Sequence, residues 1–317
     1  HDHEHETEHE GEHEHHSDMA ELEAVSLGAG EKLKVVATTN IVGDVVRNVG
    51  GDQIELTVLE ANGDRQLAEE LLAAELSKGT PDLVVTIATL ATQTAVNLLQ
   101  GTEVPILFFQ VSDPVGAGIV EHLNVPTGTN VTGKVYTVAR EAKIEMILKL
   151  VKQHITHMPV RFGFIHSTYP SSQGDIRELQ SITKQRDDVV FIPYEIQYQE
   201  VPAGLPAMLK DVEKAVDELK EQVDFWVEPL GPLGESIEYT QILLEQSTIP
   251  IAFGTKLQSV KMGALLYITP NLKASGHEAA LLAMQLLNGQ DPGQIPVTPP
   301  SNFDVGINLT TALQLKI

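Results

Sequence analysis

The alternation of short apolar runs with helical patterns is the feature that most constrains the fold of this chain. KLKVVATT (Lys32–Thr39) predicts a buried strand, IVGDVVRNV predicts a short helix that Gly50-Gly51 ends, and QIELTVLE (Gln53–Glu60) predicts the next strand. Leucines at helical spacing follow, and then come DLVVTI (Asp82–Ile87), a helix from about residue 91 to 99, and PILFFQV (Pro105–Val111). Strands that alternate with helices favour a parallel sheet with helices on both faces.

The same order resumes in the second half of the chain. Its predicted elements are a helix near 144–155, strands Arg161–His166 and Val189–Ile196, a helix over about 205–219, and strands Asp224–Glu228 and Pro250–Phe253 around a helix from about 237 to 246. Two α/β blocks therefore follow one another, with the change near Gly116–Gly133. We predict an α/β fold with two lobes, each a mainly parallel sheet flanked by helices.

Small polar residues follow the predicted strands at matching places. In open parallel sheets, ligands bind outside the carboxyl ends of the strands, where hydroxyl groups and helix N-termini can donate hydrogen bonds to an anion. Each such residue alone is explained by an ordinary helix cap, but their recurrence in both blocks favours a ligand cleft. The candidates are Thr39, Asn40, Thr89, Ser112, Asp113, Ser167, Thr168, Glu228, Gly254 and Thr255.

Composition excludes several classes of function. The chain has 317 residues and no cysteine, which rules out disulfides, thiolate nucleophiles and cysteine zinc sites. Its formal net charge is −23, of which the first eighteen residues contribute −8 and the remainder −15. Without a basic patch, nucleic acid is not an expected partner. No apolar run approaches the roughly 20 residues that span a bilayer.

No motif of catalysis follows a predicted strand. The sequence has no GxGxxG, Walker loop, HExxH or GxSxG, and no nucleophile, base and orienting group can be assembled. We therefore expect that the protein is not an enzyme. His166 closes a predicted strand beside the expected cleft, which makes it a candidate ligand contact; His122 and His277 are single helix histidines.

The chain opens with HDHEHETEHEGEHEHHSD, which holds seven of its twelve histidines among eight acidic residues. With almost nothing apolar, this segment cannot offset the entropy of ordering, and we predict that it is disordered. Imidazoles beside carboxylates suit zinc, copper or nickel, so one interpretation is weak metal binding and the other is a solvated acidic tail. We expect no cofactor beyond such weakly bound Zn or Ni. The candidate metal ligands are His1, His3, His5, His9, His13, His15 and His16.

Several segments together resemble a known family. PDLVVTIATLATQTAV, VPILFFQVSDPVGAGIV and NVTG occur at the spacing of the PDLI.AI.TPAAQ, IPIVF..VTDPV.AGLV and GGNVTG segments of solute-binding proteins of bacterial ABC importers, the group that binds tryptophan, tyrosine or phenylalanine. IPIAFGTKLQSVKMGALL and DVGINLTTALQLKI match later parts of its pattern. The resemblance covers about residues 54–317.

The resemblance implies a periplasmic-binding-protein fold of type I, in which three crossover segments join two lobes that close on a ligand like a hinge. We expect residues 1–30 to be tail and linker, 31–117 plus about 264–297 to form one lobe, and 118–263 plus about 298–317 the other. The implied function is capture of an amino acid or related small organic ligand for a membrane permease. We expect a monomer that is located outside the cytoplasm. Proteins of this family are usually exported by a signal segment and can carry a lipid anchor.

The family motifs carry over to single residues. Thr89 and Gln93 match the TPAAQ positions, Ser112 and Asp113 match its TDP, and Ser167, Thr168 and Ser171 stand at its NPSEANS-like loop. The TDN loop has become EPLGPLGES, so that Glu228 or Glu235 replaces its aspartate as the expected partner of a cationic group. Aromatic walls of the cleft are expected from Phe109, Tyr136, Tyr169 and Trp226.

The opening of the chain suggests an alternative. KLKVVATTNIVGDVVRNVGGDQIELTVL resembles the first segment of zinc and manganese receptors of ABC importers, but the histidine that follows in those receptors is absent from EANGDRQLAEEL. A zinc or manganese receptor needs three or four His, Asp or Glu ligands from both lobes. The available candidates are His122, His166, Asp113 and Glu228.

Overall fold

A computed structural model describes residues 27–317, apart from 29, 62, 152–154 and 156. The predicted metal-binding residues His1, His3, His5, His9, His13, His15 and His16 lie outside the described residues, as does nearly all of the segment 1–30 that was predicted to be disordered. The helices of the described part include none that is long and apolar enough to cross a membrane.

The first lobe is built on a parallel sheet in the order β2-β1-β3-β4-β5. The strands are β1 (Leu33–Ala37), β2 (Ile54–Val58), β3 (Leu83–Ile87), β4 (Ile106–Val111) and β5 (Val131–Val135). The connecting helices are α1 (Asn40–Gly50), α2 (Arg65–Leu76) and α3 (Thr89–Leu99), with a 3₁₀ turn at Gly51–Gln53.

The second lobe is built on a sheet in the order β11-β10-β9-β8-β6-β7, in which only β11 is antiparallel to its neighbour. The strands are β6 (Val160–Ser167), β7 (Val189–Ile196), β8 (Phe225–Val227), β9 (Ile251–Gly254), β10 (Leu266–Pro270) and β11 (Phe303–Ile307). The helices are α4 (Arg140–Val151), α5 (Pro170–Gln185), α6 (Leu205–Leu219), α7 (Ile237–Gln246), α8 (Leu257–Met262), α9 (Leu272–Leu287) and α10 (Leu309–Gln314), and Pro292–Gln294 forms a second 3₁₀ turn.

Both lobes use the same connectivity. The chain lays down an inner strand (β1 or β6), adds an edge strand beside it (β2 or β7), and then builds the rest of the sheet on the other side of the inner strand. A sheet of this kind has a crevice at the carboxyl ends of its strands, at the point where the strand order reverses. The crevices are therefore expected beside β1 and β3 in the first lobe and beside β6 and β8 in the second.

Strands of the first sheet are buried on both faces, which explains their unbroken apolar runs. Val36, Val84 and Phe108 lie in a cluster on one face, and Val35 and Val85 lie in a cluster on the other. Since successive residues of a strand point to opposite faces, every position must be apolar when helices cover both. This is why β1, β3 and β4 could be predicted from sequence.

The lobes divide at other places than the sequence predicted. β5 belongs to the first sheet, so the chain leaves that lobe after Val135 and not near residue 117. β10 belongs to the second sheet, whereas 264–297 was predicted to lie in the first lobe; only α9 and the segment after it return there, with Leu282 and Leu286 packed on the first core. The physical reason is that Thr-Gly-Lys interrupts the apolar residues of β5 and that β10 carries Tyr, Thr and a final Pro, so neither has the apolar run of a strand such as β4.

Close packing of β6 against β8 requires a glycine. A Cβ built on Gly163 would lie 2.3 Å from the ring of Trp226, which is fully buried and cannot move aside. We predict that Gly163→Ala lowers the free energy of unfolding by about 1–3 kcal/mol, because overpacking forces a shift of the strand or the ring.

Urea denaturation measures this effect. Gly276→Ala is the control: it lies in α9, where nothing lies within 4 Å of the added carbon, and it is expected to stabilise by about 0.5–1 kcal/mol. Equal effects of the two substitutions would contradict the packing argument.

Candidate ligand-binding cleft

A cavity of about 390 Å³ lies between the lobes, at the carboxyl ends of both sheets. Ala88, Thr89, Gln110 and Ser112 line it from the first lobe, and the crossover residues 136–138 and the β10 residues 267–270 line it from the side. The second lobe contributes residues from α4, from the segment after β6 and from the ends of β8 and β9: Arg140, Lys143, Tyr169, Ser171, Leu230, Gly231, Pro232, Glu235, Gly254, Thr255 and Lys256. Both lobes therefore contribute walls to the cleft, as expected for two lobes joined by a hinge.

The N-terminus of α3 opens into this cleft. Ala88 closes β3 with φ 68° and ψ 161°, a backbone conformation that costs free energy for any residue with a side chain. No side chain caps the helix, and its first intrahelical bond runs from Thr92 N to Ala88 O. The amides of Thr89, Leu90 and Ala91 therefore precede the hydrogen-bonded part of the helix, where the partial positive charge favours an anion.

Ser112 presents a second polar group. Its hydroxyl oxygen is buried and has no hydrogen-bond partner among the described residues, although Ser112 lines the cleft. A buried hydroxyl without a partner costs folding free energy, and such groups in native proteins call for a functional reason. A ligand in the cleft would supply the missing partner.

Three cations and one carboxylate line the cleft. Arg140 is buried and forms a bidentate ion pair with Asp175, in which Nε lies 2.7 Å from Oδ1 and Nη2 contacts Oδ2. Lys256 donates to the carbonyl oxygens of Ser236 and Gly234, at 3.1 and 3.4 Å. Glu235 is exposed and accepts a bond from Gly231 N at 3.2 Å.

Lys143 is the cation without such a partner. It lies one turn after Arg140 on α4 and is 7% exposed, and its amine makes no hydrogen bond or ion pair with the described residues. Burial lowers the pKa of its amine to about 7, and the positive charge of Arg140 acts in the same direction, against the opposing effect of Asp175 and Glu178. An anion that enters the cleft and contacts this amine would stabilise its ammonium form.

Glu228 does not face the cleft as predicted. Its carboxylate is fully buried and accepts bonds from Thr240 Oγ1 at 2.5 Å, from Thr255 N and Ser259 Oγ at 2.8 Å, and from Thr255 Oγ1 at 3.2 Å. The prediction that Glu228 meets a cationic group of the ligand is wrong, because protein donors already occupy both oxygens. Glu228 instead holds the end of β9 against α7 and α8.

Three further predicted residues are bound to protein groups and do not line the cleft. The Gln93 amide accepts from Arg65 and donates to Ala117 O, at 2.9 and 2.8 Å. Ser167 Oγ accepts from Tyr169 N, and Thr168 Oγ1 accepts from Tyr198 N. These side chains shape the loops around the cleft, because their strand ends turn sharply into helices or into the next strand.

Asp113 joins the two lobes outside the cleft. Its carboxylate accepts from Gly116 N at 2.7 Å and pairs with Arg177 of α5 at 3.0 Å. Gly116 and Gly174 leave room for the pair, because a Cβ on either would lie within 2.8 Å of Asp113 atoms. Of the two roles open to Asp113 in the sequence, capping the turn is the one that the structure supports.

Other predicted residues line the cleft or an adjoining pocket. Thr39 lines an adjoining pocket that shares Ala88 and Tyr169 with the cleft, whereas Asn40 begins α1 and its side chain is not among those described. Tyr136, Tyr169, Gly254 and Thr255 lie on the cleft wall, together with Thr89 and Ser112.

Two of the four predicted aromatic walls are in place. Tyr136 and Tyr169 line the cleft, and Tyr267 joins them without having been predicted. Trp226 is buried in the second core and donates from Nε1 to Ser247 Oγ at 3.1 Å, while Phe109 packs on the first core. Both had been assigned from their place in strands, where the direction of a side chain depends on the register.

His166 is not placed to bind a ligand or a metal. His166 is 2% exposed and stacks on Phe164 with ring centroids 5.4 Å apart, so it is a core residue and not a ligand contact; burial lowers the pKa of its imidazole. Within the described residues, no group of three or more His, Cys, Asp or Glu side chains could hold a metal ion.

The sequence did contain a signal for the residues that were missed. Arg140 and Lys143 fall on the same face of α4 as Ile144 and Ile147, which pack in the core. Charged residues on an apolar helix face are uncommon unless they are paired or functional. The pattern REAKIEMI could therefore have indicated buried cations near the cleft.

Comparisons with known proteins agree with the fold. The family model described as ABC transporter substrate binding protein matches residues 46–317. The curated tyrosine-binding protein of Clostridioides difficile is 27% identical over 269 residues, which cover 84% of this chain and 72% of that protein. The predicted resemblance to ABC solute-binding proteins is thereby confirmed, whereas the likeness of the first segment to zinc and manganese receptors finds no support.

Solved structures show the same architecture. A conserved domain protein from Vibrio cholerae superposes with a TM-score of 0.71 at 22% identity, covering 91% of this chain and 95% of that one. An ABC domain from Streptococcus pneumoniae in complex with L-Trp gives a TM-score of 0.69 at 18% identity, with 90% and 95% coverage. They confirm the predicted two-lobed periplasmic-binding-protein fold of type I.

The unpaired state of Lys143 has a measurable cost. We predict that Lys143→Met raises the free energy of unfolding of the ligand-free protein by roughly 1–3 kcal/mol at pH 6, because it removes a buried charge that lacks a partner. The pKa of the folded state, about 7, lies below the ordinary value of 10.5. The unfolded chain therefore binds more protons between these pH values, and the difference between variant and wild type shrinks as the pH rises through that window.

Urea denaturation at pH 6 and pH 9 measures the change. The control is Lys149→Met, which removes the same charge from the exposed face of α4 and is expected to change stability by no more than about 0.5 kcal/mol. A destabilising effect of Lys143→Met at pH 6 would contradict the description of this residue.

Proposed function

The chain belongs to the family of ABC transporter substrate-binding proteins, and we propose that it is the receptor of an importer that captures a small organic ligand in the cleft between its lobes. The observation that carries the proposal is the buried, unpartnered hydroxyl of Ser112 beside the uncapped N-terminus of α3, inside a cavity of about 390 Å³. A carboxylate or another polar group of the ligand satisfies these donors.

We propose that the ligand is an amino acid or a closely related small organic acid. Two similar proteins support this class: one carries the name tyrosine-binding protein, and the other was solved with L-Trp. Tyr136, Tyr169 and Tyr267 give the cleft apolar area that suits an aromatic or aliphatic side chain.

Ligand capture would couple to hinge closure. In the described part, the chain crosses between the lobes after β5, after β10 and before β11, and the crossover after β5 and the end of β10 line the cleft. A ligand that contacts both lobes stabilises the closed arrangement by its differential affinity for it. We propose that a permease recognises the closed receptor and that the receptor itself catalyses no reaction.

The family implies a location outside the cytoplasm. We propose that the protein acts as a monomer in the periplasm or at the outer face of the cytoplasmic membrane, there held by a lipid anchor. Fractionation of the source cells and mass spectrometry of the mature N-terminus test the location and the anchor separately.

For the histidine-rich segment we propose a separate and weaker role. His1–Asp18 combines imidazoles with carboxylates, a set that suits zinc or nickel without fixed geometry. Calorimetry should show metal binding that disappears with residues 1–18, while ligand binding in the cleft is unchanged. Loss of cleft binding on this deletion would assign the segment to the main site.

The function is tested by thermal shift against L-tyrosine, L-tryptophan, other amino acids, their hydroxy and oxo acids, purines, sugars and divalent metals, since a bound ligand raises the Tm by mass action.

We predict that Ser112→Ala weakens binding of whichever compound gives the largest shift by about 1–3 kcal/mol, because one donor to the ligand is lost. The Tm of the ligand-free variant should be unchanged or higher, since an unsatisfied buried group has been removed.

Isothermal titration gives the affinities. Ser181→Ala makes the same chemical change on the exposed face of α5 and serves as the control, with unchanged affinity expected. Equal affinity of the Ser112→Ala and wild-type proteins would mean that this hydroxyl does not contact the ligand.

A further inference from the structure

The cleft is positively charged although the protein is strongly acidic. Arg140, Lys143 and Lys256 line it, against the single carboxylate of Glu235 among the described lining residues. The positive charge of Arg140 is balanced by Asp175, and Lys256 is held by backbone carbonyl oxygens. Lys143 therefore carries the charge that nothing in the described protein balances by direct contact.

The groups around Lys143 are few and already engaged. On its own helix, Arg140 lies one turn away. From α5, the Asp175 carboxylate accepts hydrogen bonds from Arg140 Nε and Leu230 N, and the Glu178 carboxylate accepts one from the backbone N–H of Arg140. The remaining titratable groups of the cleft are Glu235, Lys256 and the phenols Tyr136, Tyr169 and Tyr267. Asp175 is bound bidentately by Arg140, and neither Asp175 nor Glu178 forms an ion pair with the Lys143 amine among the described residues.

The same cleft offers little to an ammonium group. A zwitterionic amino acid needs an acceptor for its ammonium, and the buried candidate, Glu228, already accepts four bonds from protein donors. Glu235 is exposed to solvent, where an ion pair contributes little. Donors to an anion, in contrast, are present in both lobes: Ser112 and the start of α3 on one side, and Lys143 on the other.

From this arrangement we infer that the ligand is an organic anion of net negative charge, whose acidic group is bound by the ammonium of Lys143. This inference rests on the proposed receptor function and specifies its substrate class. Organic acids without an ammonium group, such as 2-hydroxy and 2-oxo acids, are favoured over the corresponding amino acids.

The bound anion determines how affinity depends on pH. The pKa of Lys143 in the ligand-free protein is about 7, and an anion in contact with the ammonium raises it. Below pH 7 the ammonium is already formed; above pH 7 binding must take up a proton, so the affinity falls by up to tenfold per pH unit. Lys143→Met retains Glu178, Glu235, Lys256 and every other titrating group, and so separates their effects from that of Lys143.

The test compares L-tyrosine with 3-(4-hydroxyphenyl)lactate, which has a hydroxyl in place of the ammonium and is otherwise the same molecule. Titration calorimetry at pH 6 and pH 8.5 is run on the wild type, Lys143→Met and the exposed control Lys149→Met, each checked for folding by thermal unfolding. In the wild type and the control, the hydroxy acid should bind at least tenfold more tightly than L-tyrosine at pH 6. Its affinity should be lower at pH 8.5, and its binding enthalpy there should depend on the ionisation enthalpy of the buffer, which shows proton uptake. In Lys143→Met the hydroxy acid should bind at least tenfold more weakly and without this pH dependence.

The outcomes separate this inference from the proposed function. If L-tyrosine binds as tightly as the hydroxy acid, if Lys143→Met leaves the affinity unchanged, or if the thermal-shift panel yields only neutral or zwitterionic ligands, the charge assignment is wrong and the receptor function stands. If no compound of the panel or of this pair binds the wild-type protein, the proposed function is overturned and the inference with it.

Discussion

The buried ion pair between Arg140 and Asp175 is the interaction on which the second lobe's side of the cleft depends. Arg140 begins α4, Asp175 lies in α5, and the same carboxylate accepts Leu230 N at 2.8 Å, so that one pair fixes two helices and the segment after β8. Removing one partner of such a pair leaves an uncompensated buried charge. Because Asp175 is committed to Arg140, it cannot also neutralise Lys143, and the cleft keeps a positive charge.

The parallel sheets place these groups within reach of one another. Burial on both faces forces apolar strands, so polar residues are confined to strand ends, and the shared strand order of the two lobes brings both sets of ends to the cleft. Not every strand-end residue then faces the ligand. Ser112 and Thr89 line the cleft, whereas Glu228 and Ser167 are bound by neighbouring loops and helices. The topology determines where the cleft is, and the local turns determine which side chains enter it.

The sequence could predict the fold further than it could predict the site. Apolar runs in the sequence identify β1, β3, β4, β6 and β7. β5 and β10 contain Gly, Thr or Pro and lack such runs, so the predicted lobe boundaries were misplaced. Glu228 was expected in the cleft because it ends a strand; its partners Thr240 and Ser259 come from α7 and α8, whose packing no local pattern reveals. Lys143 lies on the apolar face of α4, a pattern that indicates burial but not that its amine reaches the cleft.

The net charge of −23 does not contradict a cleft that favours anions. Solvent-exposed charges are screened within about 8–10 Å at physiological ionic strength, so most of the acidic surface acts weakly on the interior of the cleft. Lys143 and Thr89 at the start of α3 are buried, and electrostatic interactions are stronger near the protein interior than in bulk water. The first lobe supplies neutral donors and the second supplies the charge. An anion held by both gains its full stabilisation only when the lobes meet, and ligand recognition and closure then depend on the same contacts.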